Sequence, residues 1–343
     1  MWEIQSDWNE LKSFWVKIGE TKYQISKNDQ MFNSPDKTIS VDSTIRNQFT
    51  ISTPQGRCTF IAPSKKFQTH KDSSVNCLSV TADGDEVLSG DCFGKLYLKY
   101  RDTEPVPMEG PTSGFDVEDC IIDKKLGQYF SCGGDFSIYA FSNEYFNVGK
   151  YKGHKASVKR ILIDGEFLYS GSDDCTIKKW DIKHYNTLST ADVADPVTDF
   201  CFGTNAIYVS TSTSIRALDL RTSAGIVSPD NGSASEFSSV AFYNDKIVAG
   251  TDSGTICLWD SRNLGAPISE WNWYDSMINK LRYHNNRLWV ATNDGTAAAI
   301  DPETKTSSIV LGTPSFEAVK AIAFSDSKVF TSGATGEIAM FDL

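Results

Sequence analysis

At 343 residues, with 40% hydrophobic and 22% charged residues, the chain can bury roughly three quarters of its unfolded surface as one large domain or two modest ones. Lys plus Arg number 33 against 44 for Asp plus Glu, giving a net charge of -11 and a pI near 4.9. That balance argues against nucleic acid and anionic membrane surfaces as partners and favours a basic protein surface. The opening "MWEIQSDWNE" has no signal-peptide core, and no run approaches the roughly 18 apolar residues of a membrane helix, so a cytoplasmic or nuclear location is expected.

Residues 1–45 contain Trp2, Trp8, Phe14, Trp15 and Tyr23, too many aromatics for a solvated tail, with a turn signal at "SPDK". They read as a small N-terminal cap. Two β-like runs follow, "NQFTIST" and "CTFIAPS". Then one pattern recurs seven times: "LSGDCFGKLYLKY", "FSCGGDFSIYAFS", "YSGSDDCTIKKWD", "YVSTSTSIRALDL", "VAGTDSGTICLWD", "VATNDGTAAAIDP" and "FTSGATGEIAMFD". Each is a β-rich run, a Gly, Ser, Asp or Thr turn and an alternating run, which is a tight hairpin. The position held by Trp180 is filled by Lys99, Phe141, Trp180, Leu218, Trp259, Ile300 and Phe341, at spacings of 42, 39, 38, 41, 41 and 41. Ahead of each hairpin lies one more apolar run, from "SVNCLSV" to "VKAIAFS". A period near 40 built from short strands marks propeller blades. The expected fold is therefore all-β: a seven-bladed β-propeller over 46–343 with the N-terminal extension over 1–45. The text stops at "MFDL", after the third strand of the last unit, so one of the two upstream runs is expected to close the ring as its fourth strand.

Several local patterns suggest chemistry. "GDCFGKL" is one residue short of a phosphate loop and has Leu96 where Ser or Thr would hold magnesium. His70, His154, His184 and His284 show no metal-ligand spacing, and the eight cysteines contain no CxxC pair and read as small reduced hydrophobes. Asn231 opens a sequon that means only a loop here. The carboxylates of "FDVEDC" lack a nucleophile or cofactor motif beside them. No cofactor, metal or catalytic residue is expected, and a propeller enzyme with a channel site is the least supported reading.

The third unit resembles the WD-repeat family, opening on Gly153-His154 and ending its third strand on Trp180-Asp181. The resemblance implies a buried hydrogen-bond chain of His154, Ser170 or Ser172, Asp174 and Trp180, a structural role that Trp259 would share in the fifth unit. Lys99 in place of Trp, and Ser253 in place of Asp, imply that other units lean on apolar packing. "IQSDW", "FIAPSKKFQTH", "WDSRNLGAPI" and "VFTSGATGEIAMFDL" are similar to the proteasomal ATPase-associated factor family. That likeness implies a monomeric assembly chaperone of the proteasome regulatory particle, which binds the C-terminal domain of a base ATPase. Asp116, Glu118, Asp119, Asp135, Asp173, Asp195, Asp252 and Glu317 fall in loops expected on one face around the channel, where their shared charge would suit a basic partner. The alternative is a substrate receptor of a cullin-RING ubiquitin ligase, suggested by WDxR-like Arg221 and Arg262. For those two arginines, bonding to backbone carbonyls is the plainer expectation.

Overall fold

The period-two runs become antiparallel sheets because flanking strands satisfy a strand's backbone N–H and C=O groups while sheets packed on either side bury its two faces. In a computed structural model, residues 2–343 are described except 6–7, 9–10, 29–30, 35, 37, 44–46, 55, 109–113, 220–224, 227–234, 274 and 313–317. Every regular element among the described residues is a β-strand. In the third unit Val158–Asp164, Phe167–Ser172, Thr176–Asp181 and Thr187–Asp192 pair in chain order into one four-stranded sheet. The second strand of each unit is almost wholly buried, since it lies between the sheets on either side, and the apolar clusters fill the spaces between sheets.

The expectation of seven blades is corrected by the sheet topology: six four-stranded blades form, those whose first strands are Val75–Val80, Val117–Asp123, Val158–Asp164, Val197–Phe202, Phe237–Tyr243 and Ala321–Phe324. The remaining repeat, Ile278–His284 to Thr306–Leu311, is part of a seven-stranded sheet. Its last strand pairs parallel with Gly56–Ile61, which leads on to Gln48–Thr53 and Ser40–Asp42. The cause is the edge itself. Ile309, Val310 and Leu311 are buried at that strand, and an apolar edge is satisfied by further strands rather than by water.

The closing strand is also not the one expected. "NQFTIST" and "CTFIAPS" pair with each other on the outside of the sixth repeat, and the last blade is completed by the short polar strand Lys65–Gln68 against Glu337–Asp342. Ahead of these runs, Trp2–Ile4, Ser13–Ile18, Thr21–Asn28 and Met31–Asn33 form a separate four-stranded sheet. Its Trp8 and Phe14 pack on Phe49, which stacks on Phe60 at 5.0 Å. Trp8 also lies against Gly312, where an added Cβ would meet the indole nitrogen at 2.3 Å. These aromatics share one buried cluster with Val248, Leu258, Leu281 and Ile300 of the fifth and sixth repeats, so the extension is joined to the ring by a common core.

That shared core predicts a single cooperative transition. Phe49→Ala should lower the unfolding free energy by about 3 to 5 kcal/mol in a urea titration followed by fluorescence. The extension and the ring should still melt together, and a separate early transition for the extension would contradict the shared core.

Candidate functional site

The first strands of the second to sixth repeats all carry a bulge at their second residue, with register breaks at Val117/Asp119, Val158/Arg160, Val197/Asp199, Phe237/Ser239 and Ile278/Lys280. A bulge bends the strand and re-aims its neighbours. Here the following residue, Asp119, Arg160 or Lys280, lines a cavity of about 210 Å³ together with Arg282. Asp119 accepts from Arg160 Nη1 at 3.0 Å and from the Ile161 N–H at 3.0 Å. Asp199, fully buried, accepts from Arg282 Nη1 at 2.8 Å and Ser239 Oγ at 2.6 Å, and its other oxygen lies 3.3 Å from Arg160 Nε. Burial alone would raise the Asp199 carboxyl; the Arg282 and Arg160 charges overcome it and hold the group far below the usual carboxylate range. Sequence reading missed Arg160, Asp199, Ser239 and Arg282. The available signal was their shared place, two residues after the leading apolar residue of the first strand or, for Arg282, two residues further on.

The predicted acids do not form one free negative surface. Asp119 is buried in the channel network just described. Glu118 and Asp173 both reach Lys159, at 2.6 and 3.4 Å. Asp135 lies 3.4 Å from Lys150, and Asp195 takes Arg216 Nη2 at 2.8 Å. Asp252 is exposed and caps the Glu236 N–H at 3.1 Å. Asp116 is exposed with no cation in contact among the described residues; partial burial, then the Glu118 charge, raise its carboxyl. Glu317 and Arg221 lie outside the described residues, as does Asn231. Among the described residues Arg262 bonds no backbone carbonyl. Its exposed guanidinium forms a two-point contact with Asp260, at 3.0 and 2.8 Å.

The implied hydrogen-bond chain is present in the third repeat. His154 Nδ1 lies 2.8 Å from Asp174 Oδ2 and Nε2 lies 2.7 Å from Ser170 Oγ, which also accepts the Trp180 indole N–H at 2.8 Å. Ser170 is thus the link. Ser172 instead donates to the Ala156 carbonyl and accepts the Asp174 N–H. A second network went unrecognised in the first repeat. There His70 meets Asp91 and Ser89, both at 2.9 Å, and Ser73 donates to Asp91 at 2.7 Å. The signal was the spacing, since His70 precedes Asp91 by 21 residues and His154 precedes Asp174 by 20. Lys99 in the Trp position lies over the Phe67 ring at 5.2 Å and donates to the Thr103 carbonyl. In the fifth repeat Ala249 stands where Ser170 would be, which leaves the buried Trp259 N–H unbonded, and the indole is held by Phe237 edge-on at 5.8 Å.

These hydrogen-bond chains are structural, and their removal should read out as stability. His154→Ala should cost about 1 to 3 kcal/mol by stranding Asp174 and Ser170, whereas His184→Ala, at an exposed loop pair with Asp181, should cost under about 0.5 kcal/mol. Equal melting temperatures for the two variants would refute the assignment. Burial would raise the Asp91 carboxyl, but His70, Ser73 and the Lys95 and Phe93 N–H groups overcome it and hold it at about 2. A carboxyl held below its unfolded value contributes stability that is complete above about 4 and lost as pH falls through about 2. Asp91→Asn should therefore lose about 2 kcal/mol less than wild type between pH 5 and pH 1.5 in urea unfolding.

The WD domain, G-beta repeat family model matches residues 61–97 and 146–181, which contain the two histidine networks. The Ribosome biogenesis protein BOP1 homolog of Dictyostelium discoideum is 41% identical over 61 residues, 17% of this chain and 7% of that protein. Eukaryotic translation initiation factor 3 subunit I of Drosophila melanogaster is 23% identical over 204 residues, 54% of this chain. The match spans 59% of that subunit's length. Among solved structures, "Structure of U3-55K" aligns at a TM-score of 0.71 and 14% identity, covering 82% of this chain and 100% of that one. "Crystal structure of RRP9 WD40 repeats" gives the same score and identity, covering 82% and 98%. Two repeats of this chain match the WD40 repeat model in sequence, and the chain shares the β-propeller fold of these neighbours.

Proposed function

We propose that this propeller is a non-catalytic protein-binding ring. More specifically, we read it as an assembly chaperone of the proteasome regulatory particle that engages the basic C-terminal domain of a base ATPase from the channel-mouth face, in the cytoplasm or nucleus. The observation that carries the reading is how the polar groups are used. The histidine networks and channel carboxylates are buried and paired inside the ring, which suits them to holding shape rather than to chemistry. The channel-mouth loops expose Asp116 and Asp252, neither with a cation in contact among the described residues, alongside the exposed lysines Lys71, Lys95 and Lys155. The finer identity rests on "IQSDW", "FIAPSKKFQTH", "WDSRNLGAPI" and "VFTSGATGEIAMFDL", which resemble the proteasomal ATPase-associated factors. The relatives' names, a ribosome biogenesis protein and a subunit of an initiation factor, support work within multi-protein assemblies in general. Arg262 is exposed and belongs to the alternative, a cullin-RING substrate receptor.

Surface plasmon resonance with isolated ATPase C-terminal domains tests the proposal. Wild-type association should weaken as added salt shortens the Debye length toward about 3 Å at 1 M. Asp116→Lys and Asp252→Lys should each slow association by about tenfold at low salt with little change in melting temperature. No binding to any base ATPase domain, together with an Arg262→Ala-sensitive complex with a cullin adaptor, would replace the chaperone reading with the ligase one.

A further inference from the structure

Internal repeats allow each turn to be compared with its siblings at the same place in the fold. In the turn between second and third strands, one residue adopts the left-handed conformation: Gly94, Gly254, Gly295 and Gly336 in four repeats, Cys175 in the third and Phe136 in the second, at φ 67°. Glycine fills this place because it has no Cβ to clash, and a bulky aromatic there is strained. Phe136 gains no burial in exchange, since it is 45% exposed. Just before Gly94 in the first repeat stands Phe93, 54% exposed, where the sibling turns place Asp135, Asp174, Ser253, Asp294 and Thr335. Phe115, 46% exposed, lies between them. The Gly114 N–H donates to the Phe93 carbonyl at 3.1 Å, and the Phe115 ring lies 3.5 Å from where a Cβ on Gly134 would sit, in the turn that carries Phe136. Three exposed phenylalanines on adjoining loops of one face, one of them strained, are not explained by packing among the described residues.

We propose that Phe93, Phe115 and Phe136, bordered by Asp116, form a docking patch for a partner segment that presents aliphatic side chains beside a lysine or arginine. The patch rests on the reading of the channel-mouth face as the interaction face, but not on the partner being an ATPase subunit. The apolar half of the specificity comes from the three rings. The cationic half comes from Asp116, the one acid on this border without a cation in contact among the described residues, next to Glu118 whose charge is shared with Lys159. A second copy of this chain is the poorer occupant, because a two-fold contact centred here would set Asp116 against Asp116. An anionic membrane is poorer for the same reason of sign.

The test uses the full chain and two synthetic amphipathic peptides, each with leucines at i, i+3, i+4 and i+7, one flanked by lysines and the other by glutamates. In fluorescence anisotropy the lysine peptide should bind at least about tenfold tighter than the glutamate peptide, and Asp116→Asn should narrow that difference. Phe93→Ser and Phe136→Gly should each weaken the lysine peptide, and the triple change with Phe115→Ser should lose it. Phe136→Gly should leave the melting temperature unchanged or raise it, because glycine relieves the left-handed strain. Three results would overturn the proposal: unaltered peptide binding by the triple variant, a lowered melting temperature for Phe136→Gly, or wild-type self-association in sedimentation that the triple variant abolishes. If the peptide binds as expected while no ATPase domain does, the patch stands and the ATPase reading fails.

Discussion

Two buried carboxylates, Asp119 and Asp199, set the terms on which the first strands meet around the channel. A propeller ring has no hydrogen-bonded ladder between neighbouring blades, so something other than sheet pairing must fix how one first strand sits against the next. Asp119 reaches from the second repeat to the Ile161 N–H and Arg160 of the third. Asp199 reaches forward to Ser239 and Arg282, and back toward Arg160. Ser239 in turn accepts the Leu281 N–H. Buried charge is costly unless fully paired, so each of these contacts constrains the next, and the arc from the second to the sixth repeat is one connected network. The bulges make it possible by turning the residue after them inward.

Much of this was legible from period and turn chemistry. The repeated hairpins, their turns and the blade built on His154 and Trp180 follow from a 40-residue period and from residues whose roles are local. What escaped was set by non-local choices. Lys65–Gln68, "KKFQ", carries little β signal, and only the unpaired side of Glu337–Asp342 makes it a strand. The stronger runs "NQFTIST" and "CTFIAPS" pair with each other, and the second of them with the apolar edge at Ile309 to Leu311, which merges the sixth repeat into a larger sheet.

The acid cluster shows the same limit at the level of side chains. Eight acids were expected in channel-side loops; Glu118 and Asp119 fall instead in the strand Val117–Asp123 and Glu317 lies outside the described residues, and the partners of the acids were not readable, because Lys159, Arg160 and Arg216 come from strands whose facing is decided by the bulges and the ring. Asp119 differs from Glu118 by one position, and the bulge between Val117 and Asp119 sends one into the channel and the other to its rim. A sequence count of like charges therefore overstates the field of this face, and the residues that keep an unmatched charge matter more than the total.

The contrast between the second and third repeats links the internal networks to the exposed face. In the third repeat the turn residue Asp174 is held by His154, Thr176 and the Lys155 N–H, which fixes the turn to its own blade. The second repeat has Phe141 in the Trp position, and its turn residue Asp135 contacts Tyr139 and Lys150 on its own blade rather than a histidine. Its Ser131, the counterpart of Ser170, is buried without a hydrogen-bond partner among the described residues. With no histidine network to hold, this turn tolerates a left-handed phenylalanine that the third repeat's turn has no reason to carry. The first and third repeats carry a histidine network and flank the second, which lacks one, and the exposed rings come both from a repeat with the network, at Phe93, and from the one without, at Phe136.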